Sequence, residues 1–189
     1  DPAGIPLLDC MPWSGDVSAP RQASKHVILT SGTTGGPLRG AARTTAPLDS
    51  VAALLNTFPT KVGGVTLLAA PMFHAWGWMH HRLASVLDST QVLLRHPDPE
   101  RILALAQAYE VDTIITVPVT LKRLVDLPEE TKQRYDFSSV RCVAVSGSAI
   151  PGDLATQFMN DFGDVLYNLY GTTEAAYATI ATPEDLRED

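Results

Sequence analysis

Residues 30–40 read Thr-Ser-Gly-Thr-Thr-Gly-Gly-Pro-Leu-Arg-Gly, with four glycines and four hydroxyls in eleven positions. They follow the apolar run His26-Val27-Ile28-Leu29, which predicts a buried strand. Glycine lets a backbone turn through positive φ and come close to a ligand. Successive N–H groups in such a turn form an anion-binding concavity, and Thr and Ser hydroxyls add donors. The chemistry this implies is the holding of a phosphate. It is not that of an ordinary P-loop. Gly35 and Gly40 have the required spacing, but Ala41 and Ala42 stand where a Lys and a hydroxyl are needed. The three-glycine dinucleotide fingerprint is absent as well.

The elements that must position this loop are read from periodicity. Apolar runs at 27–30, 65–70, 90–94, 113–117, 140–145 and 165–169 predict short strands. Between them, helical patterns cover 48–58, 72–87, 99–109, 118–127 and 151–162, several with Pro at the first turn. The strand runs are apolar throughout rather than alternating, which marks strands buried on both faces. The expected fold class is therefore α/β, a doubly wound, mainly parallel sheet flanked by helices. Ligands in such sheets bind beyond the carboxyl ends of the strands, so the loops after Leu29, Val145 and Leu169 are expected to meet at one site. Residues 1–25, rich in Pro, Gly, Asp and Ser, read as an irregular lead-in, with the α/β domain at 26–189.

Composition narrows the function classes. The chain has 189 residues, 45% hydrophobic and 19% charged, which suits a globular domain with a sizeable core. A net charge of −7 argues against nucleic acid as the main partner, because phosphate-backbone affinity needs clustered Lys and Arg. No apolar window is long enough for a transmembrane segment, the N-terminus lacks a signal pattern, and the expected location is cytoplasmic. Two cysteines, Cys10 and Cys142, give neither a disulfide framework nor a zinc site. Cys142, inside an apolar run, reads as a small buried hydrophobe. His74, His80 and His81 lack the spacing of helix-borne metal ligands. Both ends read as cut from a longer protein.

A second motif, Asn168-Leu169-Tyr170-Gly171-Thr172-Thr173-Glu174, follows the last strand run, 139 residues after the first (Thr33 to Thr172). Between the two lie Pro71-Met72-Phe73-His74 and Ser146-Gly147-Ser148-Ala149. In this order the four motifs resemble the adenylate-forming superfamily of acyl-CoA synthetases, peptide-synthetase adenylation domains and luciferases. The wording of 29–35 and of Phe73-His74 is most similar to fatty-acid–CoA ligases. The resemblance spans nearly the whole chain and implies part of the large N-terminal domain of such an enzyme.

The resemblance implies ATP-dependent conversion of a carboxylate, a fatty acid by the closest wording, into acyl-AMP, followed by transfer to CoA. Thr30, Ser31, Gly32, Thr33, Thr34 and Gly35 would wrap the phosphates, with Arg39 as the basic residue. Gly147, Ser148 and Ala149 would border adenine, on which Tyr170 stacks, while Gly171 and Thr172 let the chain pass close. Thr173 would bond the α-phosphate, and Glu174 is a hard oxygen ligand suited to Mg²⁺. His74 would sit where the acyl carboxylate meets ATP, or else simply pack beside Phe73 and Trp76. One departure stands out. The family loop ends Pro-Lys-Gly, whereas this one ends Pro37-Leu38-Arg39-Gly40, with an extra position and Arg for Lys. The family's ribose-binding Asp and its small C-terminal domain lie downstream of the Tyr-Gly-x-Thr-Glu motif, so residues 1–189 alone are expected to bind ATP weakly and make no thioester. Two other readings are a ligase that delivers acyl-AMP to a carrier protein and a non-catalytic nucleotide-binding remnant.

Overall fold

The computed structural model describes residues 26–29, 40–43, 48–171 and 179–188, with side chains from residue 52 onward. Five parallel strands form the body of a six-stranded sheet: β3 (Val65–Leu68), β4 (Thr90–Leu93), β5 (Thr113–Thr116), β6 (Cys142–Val145) and β7 (Leu166–Tyr170). A short antiparallel strand, β8 (Thr179–Ala181), closes one edge, and the order across the sheet is β4-β3-β5-β6-β7-β8. All four residues of β5 and of β6 are buried, as their unbroken apolar and β-branched runs require.

Helices cover both faces. Alternation along β5 sends Ile114 into one core cluster and Ile115 into the other. The first cluster is closed by α3 (Pro99–Ala108), α4 (Pro118–Val125) and α6 (Leu154–Phe162), through Ile102, Leu121 and Phe158. The second is closed by α1 (Leu48–Thr57) and α2 (Ala75–Val86), with Leu54 and Trp76 in the core. A one-turn helix, α5 (Glu129–Lys132), packs against α3. The chain passes from β3 outward to β4, then back across to β5, so the strand order reverses between β3 and β5. That reversal is the topological switch point of an open α/β sheet, where ligand crevices form.

The expectation for the first strand needs correcting. β1 (His26–Leu29) is not in the parallel sheet but pairs antiparallel with β2 (Gly40–Arg43), in register from His26↔Arg43 to Leu29↔Gly40. The strand that precedes residues 30–39 thus belongs to a separate two-stranded sheet and not to the six-stranded one. Only ten residues separate β1 from β2, a connection that permits antiparallel pairing, whereas a parallel partner needs a crossover of about a dozen residues or more.

At the opposite, amino edge of the sheet, Asp112 ties three strands together. Its Oδ2 accepts from Val65 N at 2.6 Å and its Oδ1 from Thr113 Oγ1 at 2.6 Å. Its carbonyl accepts from Arg141 N and Cys142 N at 2.9 and 3.1 Å. The side chain is buried, so Asp112→Ala strands an N–H and a hydroxyl. Urea unfolding is expected to show a loss of about 2–3 kcal/mol.

Candidate active site

The loops leaving β3, β5, β6 and β7 emerge side by side at the carboxyl edge, because these strands are parallel neighbours. They carry six of the sequence-predicted site residues: His74 after β3, Gly147, Ser148 and Ala149 after β6, and Tyr170 and Gly171 at the end of β7. Thr30, Ser31, Gly32, Thr33, Thr34, Gly35, Arg39, Thr172, Thr173 and Glu174 lie outside the described residues. Because β7 and β8 are antiparallel, β7 ends and β8 begins at this same edge.

After β6 the chain turns sharply at Gly147, whose φ of +102° favours glycine. Among the described residues, a Cβ there would meet only Val117 Cγ1, at 3.8 Å. Two strands away from β5, at the end of β7, Tyr170 is 66% exposed. A turn that needs glycine, together with an exposed aromatic side chain on the neighbouring strand, suits the docking of a flat, polar-edged ring such as adenine. The residues present here therefore fit the nucleotide that the motifs imply.

The segment after β3 is built around close backbone packing. His74 N donates to Pro71 O at 3.1 Å, forming a turn at 71–74, and α2 begins only at Ala75, three residues later than its periodicity predicts. His74 is the N-cap of α2, its Nδ1 accepting from Trp76 N at 3.3 Å. With Nδ1 accepting there, Nε2 is the ring nitrogen left to donate. The packing alternative for His74 is not what the structure shows: both His74 and Phe73 are exposed, and of the three only Trp76 is buried. The Trp76 indole donates to Thr116 O at 2.9 Å, which pins the start of α2 to the end of β5 across the switch point.

His80, one turn beyond Trp76, is buried, and its ring stands 4.2 Å from that of Trp76 and 6.0 Å from that of Phe58. Desolvation lowers its pKa from 6.5 to about 3, so the ring is neutral. Among the described residues its Nε2 has no hydrogen-bond partner. His81 faces elsewhere, with Nδ1 2.7 Å from Gln91 Oε1. Sequence reasoning weighed His80 only as a metal ligand. The usable signal was its spacing with Trp76 and Ala84 on one helical stripe, which marks the buried face of α2. Cys142 is fully buried, and burial first, then the nearby Asp112 carboxylate, pushes its thiol well above the ordinary range. It is the small buried hydrophobe expected and no nucleophile.

With the site described, the comparisons identify the class. The AMP-binding enzyme family matches residues 15–189, and the chain belongs to that family, the adenylate-forming group that its motifs resemble. It is 29% identical over 167 residues to 4-coumarate–CoA ligase-like 9 of Arabidopsis thaliana, a match covering 85% of this chain and 29% of that relative. To enterobactin synthase component F of Escherichia coli K12 it is 28% identical over 173 residues, covering 87% of this chain and 13% of the relative. The fold matches the N-terminal domain of FACL13 from Mycobacterium tuberculosis with a TM-score of 0.76 at 22% identity, over 92% of this chain and 44% of that one. The chain thus spans less than a third of the curated relatives it matches. Among the described residues no helix is long and apolar enough to cross a membrane.

Proposed function

We propose that this chain is the nucleotide-binding part of an acid–thiol ligase. A carboxylate oxygen attacks the α-phosphorus of ATP, the bond to pyrophosphate breaks, and acyl-AMP forms. A thiol, that of CoA, then attacks the acyl carbonyl and AMP leaves, so the product is a thioester. The observation that carries this reading is the convergence of the loops after β3, β6 and β7 at one carboxyl edge, where Gly147 turns with positive φ beside an uncovered Tyr170. Tyr170 stacks on adenine, and the 147–149 turn lies along its edge. Thr30–Gly35 and Arg39 hold the phosphates, while Thr173 bonds the α-phosphate. The Nε2–H of the exposed His74 meets the incoming carboxylate. Glu174 supplies the hard oxygen suited to Mg²⁺, which when bound neutralises phosphate charge. A fatty acid is the substrate suggested by the wording around Phe73-His74.

Delivery of acyl-AMP to a carrier protein is a second reading, favoured by the likeness to enterobactin synthase component F. ATP–pyrophosphate exchange by the full reading frame tests the first half-reaction. Tyr170→Ala is expected to raise the KM for ATP about tenfold or more, on the scale of a lost stacking contact. Exchange that survives Tyr170→Ala and Thr33→Ala unchanged would overturn the proposal. Thioester formation with CoA against a carrier protein separates the two acceptors.

A further inference from the structure

Tyr170 is held by the sheet from one side only. The ladder between β6 and β7 runs from Val143↔Leu166 to Val145↔Asn168 and stops there. Among the described residues, the last two of β7 pair with β8 alone, as Leu169↔Ile180 and Tyr170↔Thr179. With Tyr170 66% exposed, its place depends on this backbone pairing more than on packing. The strand it leans on has only three residues. So short a ladder fixes its own register weakly. A slip of two residues would keep Ile180 on its face of the sheet while moving β8 about 7 Å along β7.

Beyond β8 the chain is fastened at the other end of β7. Thr182 donates through its N–H and its hydroxyl to Asp185 Oδ2 at 2.8 and 2.9 Å, closing the turn into a 3₁₀ helix, Asp185–Arg187. Arg187 then holds the segment that leads into β7. Its Nε and Nη2 donate to Asp164 Oδ1 at 3.0 and 2.6 Å, and its Nη1 donates to Asn160 Oδ1 on α6 at 2.8 Å. All three guanidinium nitrogens are engaged, in a planar geometry that a flexible ammonium does not reproduce. The Arg187 and Asp164 side chains are 35% and 62% exposed, so the ion pair adds little to global stability. It does fix register, because a two-residue slip of β8 would carry Arg187 away from both acceptors.

We infer that Arg187 is a positioning residue for the nucleotide, acting through β8 to hold Tyr170 where adenine stacks. The inference rests on the proposed stacking role of Tyr170 and adds to it a residue at the opposite, amino edge of the sheet. Arg187 touches no substrate. Its clamp fixes the end of β8 at the amino edge, and the start of β8 fixes the end of β7 at the carboxyl edge.

The test is the Kd for ATP, measured by calorimetry on the full reading frame without any carboxylate. Wild type is compared with Arg187→Ala, Tyr170→Ala and the double variant, with amide hydrogen exchange of β7 and β8 as a second readout. Arg187→Ala is expected to raise the Kd by about threefold to tenfold and to speed exchange at Leu169 and Tyr170, with the urea midpoint close to that of wild type. Arg187→Lys is expected to recover part of the affinity. In the Tyr170→Ala background, Arg187→Ala is expected to change the Kd no further, because both act on the same contact. If Arg187→Ala does not fold, Asp164→Ala serves the same comparison. An unchanged Kd in Arg187→Ala, with Tyr170→Ala weakened, overturns this inference alone. A loss of equal size in both backgrounds does the same, since the clamp would then act elsewhere than on Tyr170. An unchanged Kd in Tyr170→Ala overturns the stacking role of Tyr170 and the inference with it.

Discussion

Gly77→Ala is expected to destabilise the protein by about 1–3 kcal/mol, although in an open helix the same change would stabilise it by about 1 kcal/mol. A Cβ on Gly77 would stand 2.4 Å from Pro71 O, 2.9 Å from Pro71 C and 3.1 Å from Ala70 O. All three are backbone atoms, so no side chain can swing away to relieve the overlap. The start of α2 or the strand exit at Ala70–Pro71 must move instead. Pro71 O is also the acceptor for His74 N, and Trp76 beside Gly77 is fixed to Thr116 O. Any shift therefore passes directly to the His74 N-cap and to the contact between α2 and β5. Urea denaturation should show a lower midpoint, and pyrophosphate exchange should fall further than stability alone explains, with kcat affected more than the KM for ATP. A midpoint equal to or above that of wild type would mean that the close approach of helix and strand exit contributes nothing.

This pairing of a tight backbone contact with an active-site turn was not legible in the sequence. Gly77 sits in a helical pattern where glycine reads only as a weak helix former, and the atoms it must avoid are those of another segment. The central strands were legible for a local reason: Thr113–Thr116 and Cys142–Val145 are buried on both faces, so their residue types carry the signal unaided. β2 and β8 were missed for the opposite reason. Gly40-Ala41-Ala42-Arg43 has little intrinsic strand preference, and both strands exist through antiparallel pairing with the chain that precedes them. The same gap misplaced β1, whose apolar run looked like a parallel strand when its partner lay just beyond the glycine loop. Of the site, the residue types were visible in the motifs. What needed coordinates was direction: His74 turned outward as an N-cap, Tyr170 uncovered, and His80 turned inward on the stripe of Trp76 and Ala84.

His80 sets the second large effect, on the acid limb of stability. Its folded-state pKa is about 3 against 6.5 for the exposed side chain, because burial disfavours the imidazolium. Between these values the unfolded chain binds a proton at His80 that the folded chain does not. Stability from this group is thus fully present above pH 6.5 and is lost as pH falls towards 3. The slope is about 1.4 kcal/mol per pH unit once the unfolded histidine is protonated, so the drop from pH 6.5 to pH 5 costs about 2 kcal/mol. Carried down to pH 3, the cost reaches about 5 kcal/mol, comparable to the whole stability of many domains. His80→Phe keeps an aromatic ring beside Trp76 and Phe58 while removing both the titration and the orphaned nitrogen. The variant should be equal to or more stable than wild type at pH 7, and its advantage should grow by about 2 kcal/mol on going to pH 5. Measuring the difference between the two proteins at each pH isolates His80 from the carboxylates and the remaining histidines, which both share. Parallel stability profiles for wild type and His80→Phe between pH 7 and pH 5 would show that His80 takes up its proton equally in the folded and unfolded states, and so is not held neutral by burial.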